Sequence, residues 1–219
     1  LANPTAVTVA NGATFDLNDI NQTTGSLAGA GNVALGSGNL STGDSADTSF
    51  SGVISGTGEL TKKGSGTFTL SGINTYTGNT VLNAGTLQLS GSGDIVDSSQ
   101  VDVKTGATFD LNDVDQTFGN LTGGGDVDLG SATLNTGGND TSSTLSGVIS
   151  GTGSLTKSGT GTFILRGANT YTGDTHINNG TLKLSGSGSL AESTTMTIAS
   201  GGTFELTDQN QIIDSLAGA

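Results

Sequence analysis

His176 is the only histidine in the 219-residue chain, so proton transfer near neutral pH would have to be centred there. A nucleophile–base–acid arrangement needs its partners held beside the imidazole. Serines and aspartates run along the whole chain without a second base, and in an internal repeat the place of His176 is taken by Val81. An ordinary variable strand position is the better reading. Carboxylates recur in register as Asp16 with Asp19, Asp110 with Asp113 and Asp115, and Glu205 with Asp208. Asp113 and Asp115 stand two apart, on one face of a strand. Stacked strands would then gather oxygen ligands of the kind calcium takes. The Gly-Gly-x-Gly-x-Asp signature of calcium β-rolls is absent, which favours a solvated acidic face that limits lateral sticking.

The two tyrosines, Tyr76 and Tyr171, occupy identical Asn-Thr-Tyr-Thr-Gly turns. An exposed tyrosine could stack on a sugar ring. Strict repetition suits a structural lid over the chain beneath, with Asn74 and Asn169 bonding the turn backbone. Arg166 is the lone arginine, and Lys62, Lys63, Lys104, Lys157 and Lys183 are dispersed. No basic cluster exists to neutralise an acidic polysaccharide. Thr67-x-Thr69 becomes Thr162-x-Ile164 in the second copy, so no regular threonine array forms. The expectation is a chain without catalytic residues or cofactor.

The elements that carry these residues must be thin. Hydrophobic residues make up 32% of the chain and aromatics 4%, with no Trp, which leaves little material for a thick globular core. There are 38 glycines and one proline, Pro4; the glycines lack collagen's three-residue period. Short alternating runs such as Phe15-Asp16-Leu17, Val33-Ala34-Leu35 and Phe68-Thr69-Leu70 predict strands rather than disorder. The net charge of −13 and pI near 4.1 disfavour nucleic-acid partners and anionic lipid surfaces. No cysteine is present, so disulfides and thiolate metal sites are excluded; an exported β-solenoid does without them. No apolar run approaches the length of a membrane span, and no signal peptide is visible. The expectation is a segment of a longer protein that does not insert in a membrane itself.

Self-comparison dominates everything else. Residues 51–93 and 146–188 are identical at 32 of 43 aligned positions, at an offset of 95. Gly12 to Asp19 recurs from Gly106 to Asp113 and again from Gly202 to Asp208. We therefore expect one elongated solenoid over 1–219, with repeat units 1–94 and 95–189 and a partial unit 190–219. Each strand offers one or two inward aliphatics, too few for a two-sheet sandwich but enough for turns that stack at about 4.8 Å. At roughly 25–30 residues per turn, the prediction is about eight rungs, a rod on the order of 40 Å long.

One pattern in the repeat is specific. Gly56, Leu60, Gly64, Phe68, Leu70, Asn74, Tyr76, Gly78, Gly85 and Leu87 recur as Gly151, Leu155, Gly159, Phe163, Leu165, Asn169, Tyr171, Gly173, Gly180 and Leu182. This spacing resembles the passenger-associated transport repeat of type V autotransporters. The resemblance implies an all-β, right-handed parallel β-helix displayed outside a Gram-negative cell, where the repeat is associated with passenger secretion and stable stacking. No catalytic residue belongs to the motif. The expected role is an extracellular, bacterial cell-surface stalk or adhesive surface. Its partners would be neighbouring rungs of its own parent chain, and host-cell glycans or proteins. The alternative is a self-associating fibre or surface-layer module without a host receptor.

Overall fold

The computed structural model describes residues 5–95, 99–192, 194–208 and 210–218. The chain winds as an all-β parallel solenoid of about 10 turns. Every turn visits three sides. The first side stacks Ala6–Val9, Ser26–Gly29, Thr48–Phe50, Thr67–Leu70, Gly85–Leu89, Ala107–Asp110, Asp126–Asp128 and Ile149–Ser150. The second begins with Thr14–Asp16, Asn32–Ala34, Ile54–Gly56 and Thr75–Tyr76, and the third with Gln22–Thr23, Leu40–Thr42, Leu60–Lys62 and Thr80–Leu82. All the strand pairs are parallel, as short connections that advance one side at a time require.

Consecutive turns are 18 to 22 residues apart, as Asp110 opposite Asp128 and Gln88 opposite Asp110 show. The sequence expectation of 25–30 residues and eight rungs was too coarse. Most strands are only 2 to 5 residues long, so a side and its corner need fewer residues than supposed. Ten turns at about 4.8 Å give a rod of about 48 Å.

The core is a set of inner columns. Phe68, Leu87, Phe109, Val127 and Ile149 stack one above another on the first side, all buried. Each such side chain removes its surface from water for about 1.5–3 kcal/mol. The second side loses its ladder between Tyr76 and Gln116. An isolated bridge, Ile73 to Asp94, and the Gln116 side chain carry the stacking there. The ladder then resumes with Gln116–Phe118, Thr133–Thr136 and Ser154–Lys157. The strand Thr175–Leu184 runs through a corner, so its first half continues the second side and its second half the third.

Copies of the repeat do not lie on the same side. Thr67–Leu70 is on the first side, whereas its copy Thr162–Leu165 is on the third; Leu60–Lys62 is on the third, and its copy Ser154–Lys157 on the second. Twelve strands and the Asp94 bridge lie between Ala6–Val9 and its copy Gln100–Val103, which puts the copy fourteen sides farther on. These fourteen sides amount to four turns and two-thirds.

Candidate functional site

The repeat motif builds the interior and the corners. Leu60, Phe68, Leu70 and Leu87 are buried, as are Leu155, Phe163, Leu165 and Leu182. Gly56, Gly64 and Gly85 have φ of 118°, 65° and 67°, and Gly151, Gly159 and Gly180 have 108°, 65° and 65°. Gly78 sits over the Gly58 carbonyl and Gly173 over the Gly153 carbonyl, so close that a Cβ on either upper glycine would lie 2.2 Å from that oxygen.

Asn74 is buried and spans three turns. Its Oδ1 accepts from the Ile54 amide at 2.9 Å, while Nδ2 donates to Gly72 O at 3.0 Å and Asp94 O at 2.9 Å. Asn169 repeats the arrangement with Ile149, Gly167 and Ser189. Gln116 takes the equivalent place farther up, accepting from Ile95 N at 3.1 Å. The backbone groups that parallel strands leave open at a corner are thereby satisfied.

Tyr76 and Tyr171 are 1% and 0% exposed, so neither ring is offered to a sugar. They lie within the coil rather than as a lid over it. Each hydroxyl pairs with a threonine four residues on: Thr80 at 2.6 Å and Thr175 at 2.7 Å. Burial drives both phenol pKa values above the ordinary range.

Lys62 and Lys157 are also buried, each 1% exposed. The Lys62 ammonium donates to the carbonyls of Lys63, of Gly64 at 2.9 Å and of Ala84 at 3.2 Å. Lys157 donates to those of Ser158, of Gly159 at 2.8 Å and of Asn179 at 3.3 Å. Desolvation lowers both pKa values; Asp44 and Asp47 oppose it at Lys62, and Asp140 at Lys157. Sequence reasoning grouped these two with the other dispersed lysines and did not foresee their burial. The available signal was their identical place in the repeat, two residues after a buried leucine and two before a glycine.

The outer faces carry short polar side chains. Thr69, Gln88 and Asp110 form a hydrogen-bonded ladder along the first side. Lys183 pairs with Glu205 at 2.6 Å and Lys104 with Asp102 at 2.5 Å. His176 is half-buried between Thr156 and Thr197 on the second side. Asp113, at a left-handed corner with φ of 67°, accepts from the Ser131 amide at 2.7 Å and hydroxyl at 3.0 Å. Asp115 accepts from Thr133 N at 2.6 Å. The two carboxylates cap residues two apart on the next turn. In the first copy Asn21 bonds Asn39 N at 2.8 Å in the manner of Asp115, so a neutral amide fills that place equally. Among the described residues no three His, Asp or Glu side chains gather as a metal site, and no pocket opens.

Buried leucines, corner glycines, the bridging Asn and the Tyr–Thr pair match the passenger-associated-transport-repeat model at residues 60–89 and 155–184. The chain is a passenger segment of the autotransporter type. Over 156 residues, 68% of its length, the segment is 41% identical to the adhesin BmaC autotransporter of Brucella suis biovar 1 (strain 1330). It spans 5% of that protein's length. No solved structure matches the passenger segment.

Proposed function

We propose that this passenger segment is an extracellular stalk whose polar outer faces make adhesive contacts at the bacterial surface, and whose repeats support folding during secretion. The observation that carries the reading is the stacking of short turns, sustained by the first and third sides where the ladder of the second lapses, around a continuous apolar interior. Such a coil holds its outer side chains at fixed spacing over a long surface and needs no concave site. The similarity to a protein named an adhesin points the same way. Host-cell glycans or proteins would meet threonine, serine, asparagine and carboxylate groups, with repeat units 1–94 and 95–189 each presenting a related set.

Beads coated with the purified segment test this. Attachment to mammalian cells, competed away by soluble segment, is the expected result. Beads that clump with one another and ignore cells would replace the adhesive role with self-association. Beads that do neither would leave only a spacer.

A further inference from the structure

A buried solenoid side chain ordinarily meets the turns above and below through apolar contact alone, and one leucine there does the work of another. Lys62 and Lys157 are different. The stem of Lys62 crosses Gly43 of the preceding turn, where an added Cβ would lie 3.1 Å from Lys62 Cδ and 3.3 Å from Cε. Its ammonium binds two carbonyls of its own corner and the Ala84 carbonyl of the following turn. Lys157 crosses Gly137 in the same way and reaches Asn179. In both copies the glycine beneath has positive φ, 108° and 96°. Gly43 lies 19 residues before its lysine and Gly137 lies 20 before the other, both outside the matched repeat boundaries of 60 and 155.

We propose that Lys62 and Lys157 are inter-turn clamps, each coupling three successive turns into a block that opens and closes as one unit. The blocks run from Thr42 to Gly85 and from Thr136 to Gly180. A buried ammonium that loses one carbonyl is left undersolvated, a larger penalty than parting two apolar side chains. Opening the upper turn removes the Ala84 carbonyl, and opening the lower turn strips the Gly43 packing from the stem and uncovers it to water, so either one weakens the clamp. The turns between blocks are held by apolar stacking, strand ladders and side-chain bonds such as Gln88–Asp110 and Asp113–Ser131, without a buried lysine among the described residues, and they can exchange turn by turn. The role is positioning, and it is independent of what the outer faces bind.

Native-state hydrogen exchange on the full 219-residue chain, read by mass spectrometry, tests the proposal. In the unsubstituted chain, peptides covering 42–43, 62–64 and 84–85 should share one protection factor, higher than that of the turns between blocks. Lys62→Met keeps the stem and removes the charge. Its expected effect is a several-fold divergence of protection among the three turns, with the block around Lys157 unchanged, whatever happens to overall stability. Lys157→Met should give the reciprocal pattern. Leu82→Ala is the control for lost packing: it should lower protection of the first block without splitting it. The proposal is overturned if Lys62→Met leaves the three turns exchanging together, or if Leu82→Ala splits them equally. Loss of protection in both blocks of Lys62→Met would also overturn it, because the clamp would then not be local.

Discussion

Removing the side-chain amide of Asn74 would strand the Ile54 N–H and take one of two donors from each of the Gly72 and Asp94 carbonyls, which keep their backbone bonds to Asp94 N and Asn74 N. We expect Asn74→Ala to lose about 3 kcal/mol in urea denaturation, and Asn169→Ala about the same. Tyr76→Phe, which deletes one hydroxyl contact, should lose about 1 kcal/mol. The phenols also set a pH limit. Burial raises both pKa values in the folded chain above the ordinary 10.0. Above pH 10 the unfolded chain sheds phenolic protons that the folded chain keeps, so stability falls by about 1.4 kcal/mol per pH unit for each tyrosine. The lowered lysine values act oppositely, adding stability as pH rises from them toward 10.5. Urea midpoints across alkaline pH should show the falling limb, and the double variant Tyr76→Phe, Tyr171→Phe should lack it. Repetition made these residues visible in the sequence, but not the side they face. Asn, Tyr and Lys are amphipathic, and only the corner geometry decides whether the polar end turns outward or finds carbonyls inside.

At the scale of elements, corners distinguish two kinds of glycine. Gly58 and Gly78 stack over the carbonyls of Gly38 and Gly58, where a Cβ would lie 1.9 Å and 2.2 Å away. These positions need glycine for closeness, not for positive φ. Gly78→Ala should destabilise by about 2–3 kcal/mol, because backbone rather than a movable side chain must give way. Gly138 has nothing within 4 Å and no positive φ, so Gly138→Ala should be neutral in thermal melts that show the Gly78→Ala loss. The strands themselves were legible, because alternation at Phe68-Thr69-Leu70 has one solution in a half-buried strand. Turn length was not. An expectation of three short strands to a rung agrees with the three sides found, but leucine spacing overstated the residues that each side and corner take, which is why 25–30 residues were expected where 18 to 22 suffice.

For the whole molecule, the repeat predicts its own deletability. Removing residues 51–145 joins Phe50 to Ser146, a junction like the native Phe50–Ser51. Lys157 would then lie over Thr42 and Gly43, the place occupied by Lys62. Gly153 would lie over Gly38 as Gly58 does. We expect the shortened chain to fold cooperatively, with small-angle scattering showing a rod shorter by about 22 Å. A collapsed or aggregated product would mean that the copies are not interchangeable. The solenoid and its repeat could be read from sequence because identical segments must stack identically. Their angular relation could not, since a 95-residue offset has no meaning until the 18-to-22-residue turn is known.

Four turns and two-thirds between copies has a consequence for valency. Two equal epitopes, one on each copy, point about 120° apart around the rod and about 22 Å apart along it. A rigid two-armed receptor approaching from one direction can seat only one arm per rod, so avidity from a single rod is forfeited. The second epitope is left free for another rod or another cell. Wherever such copies follow one another, the geometry favours bridging over gripping.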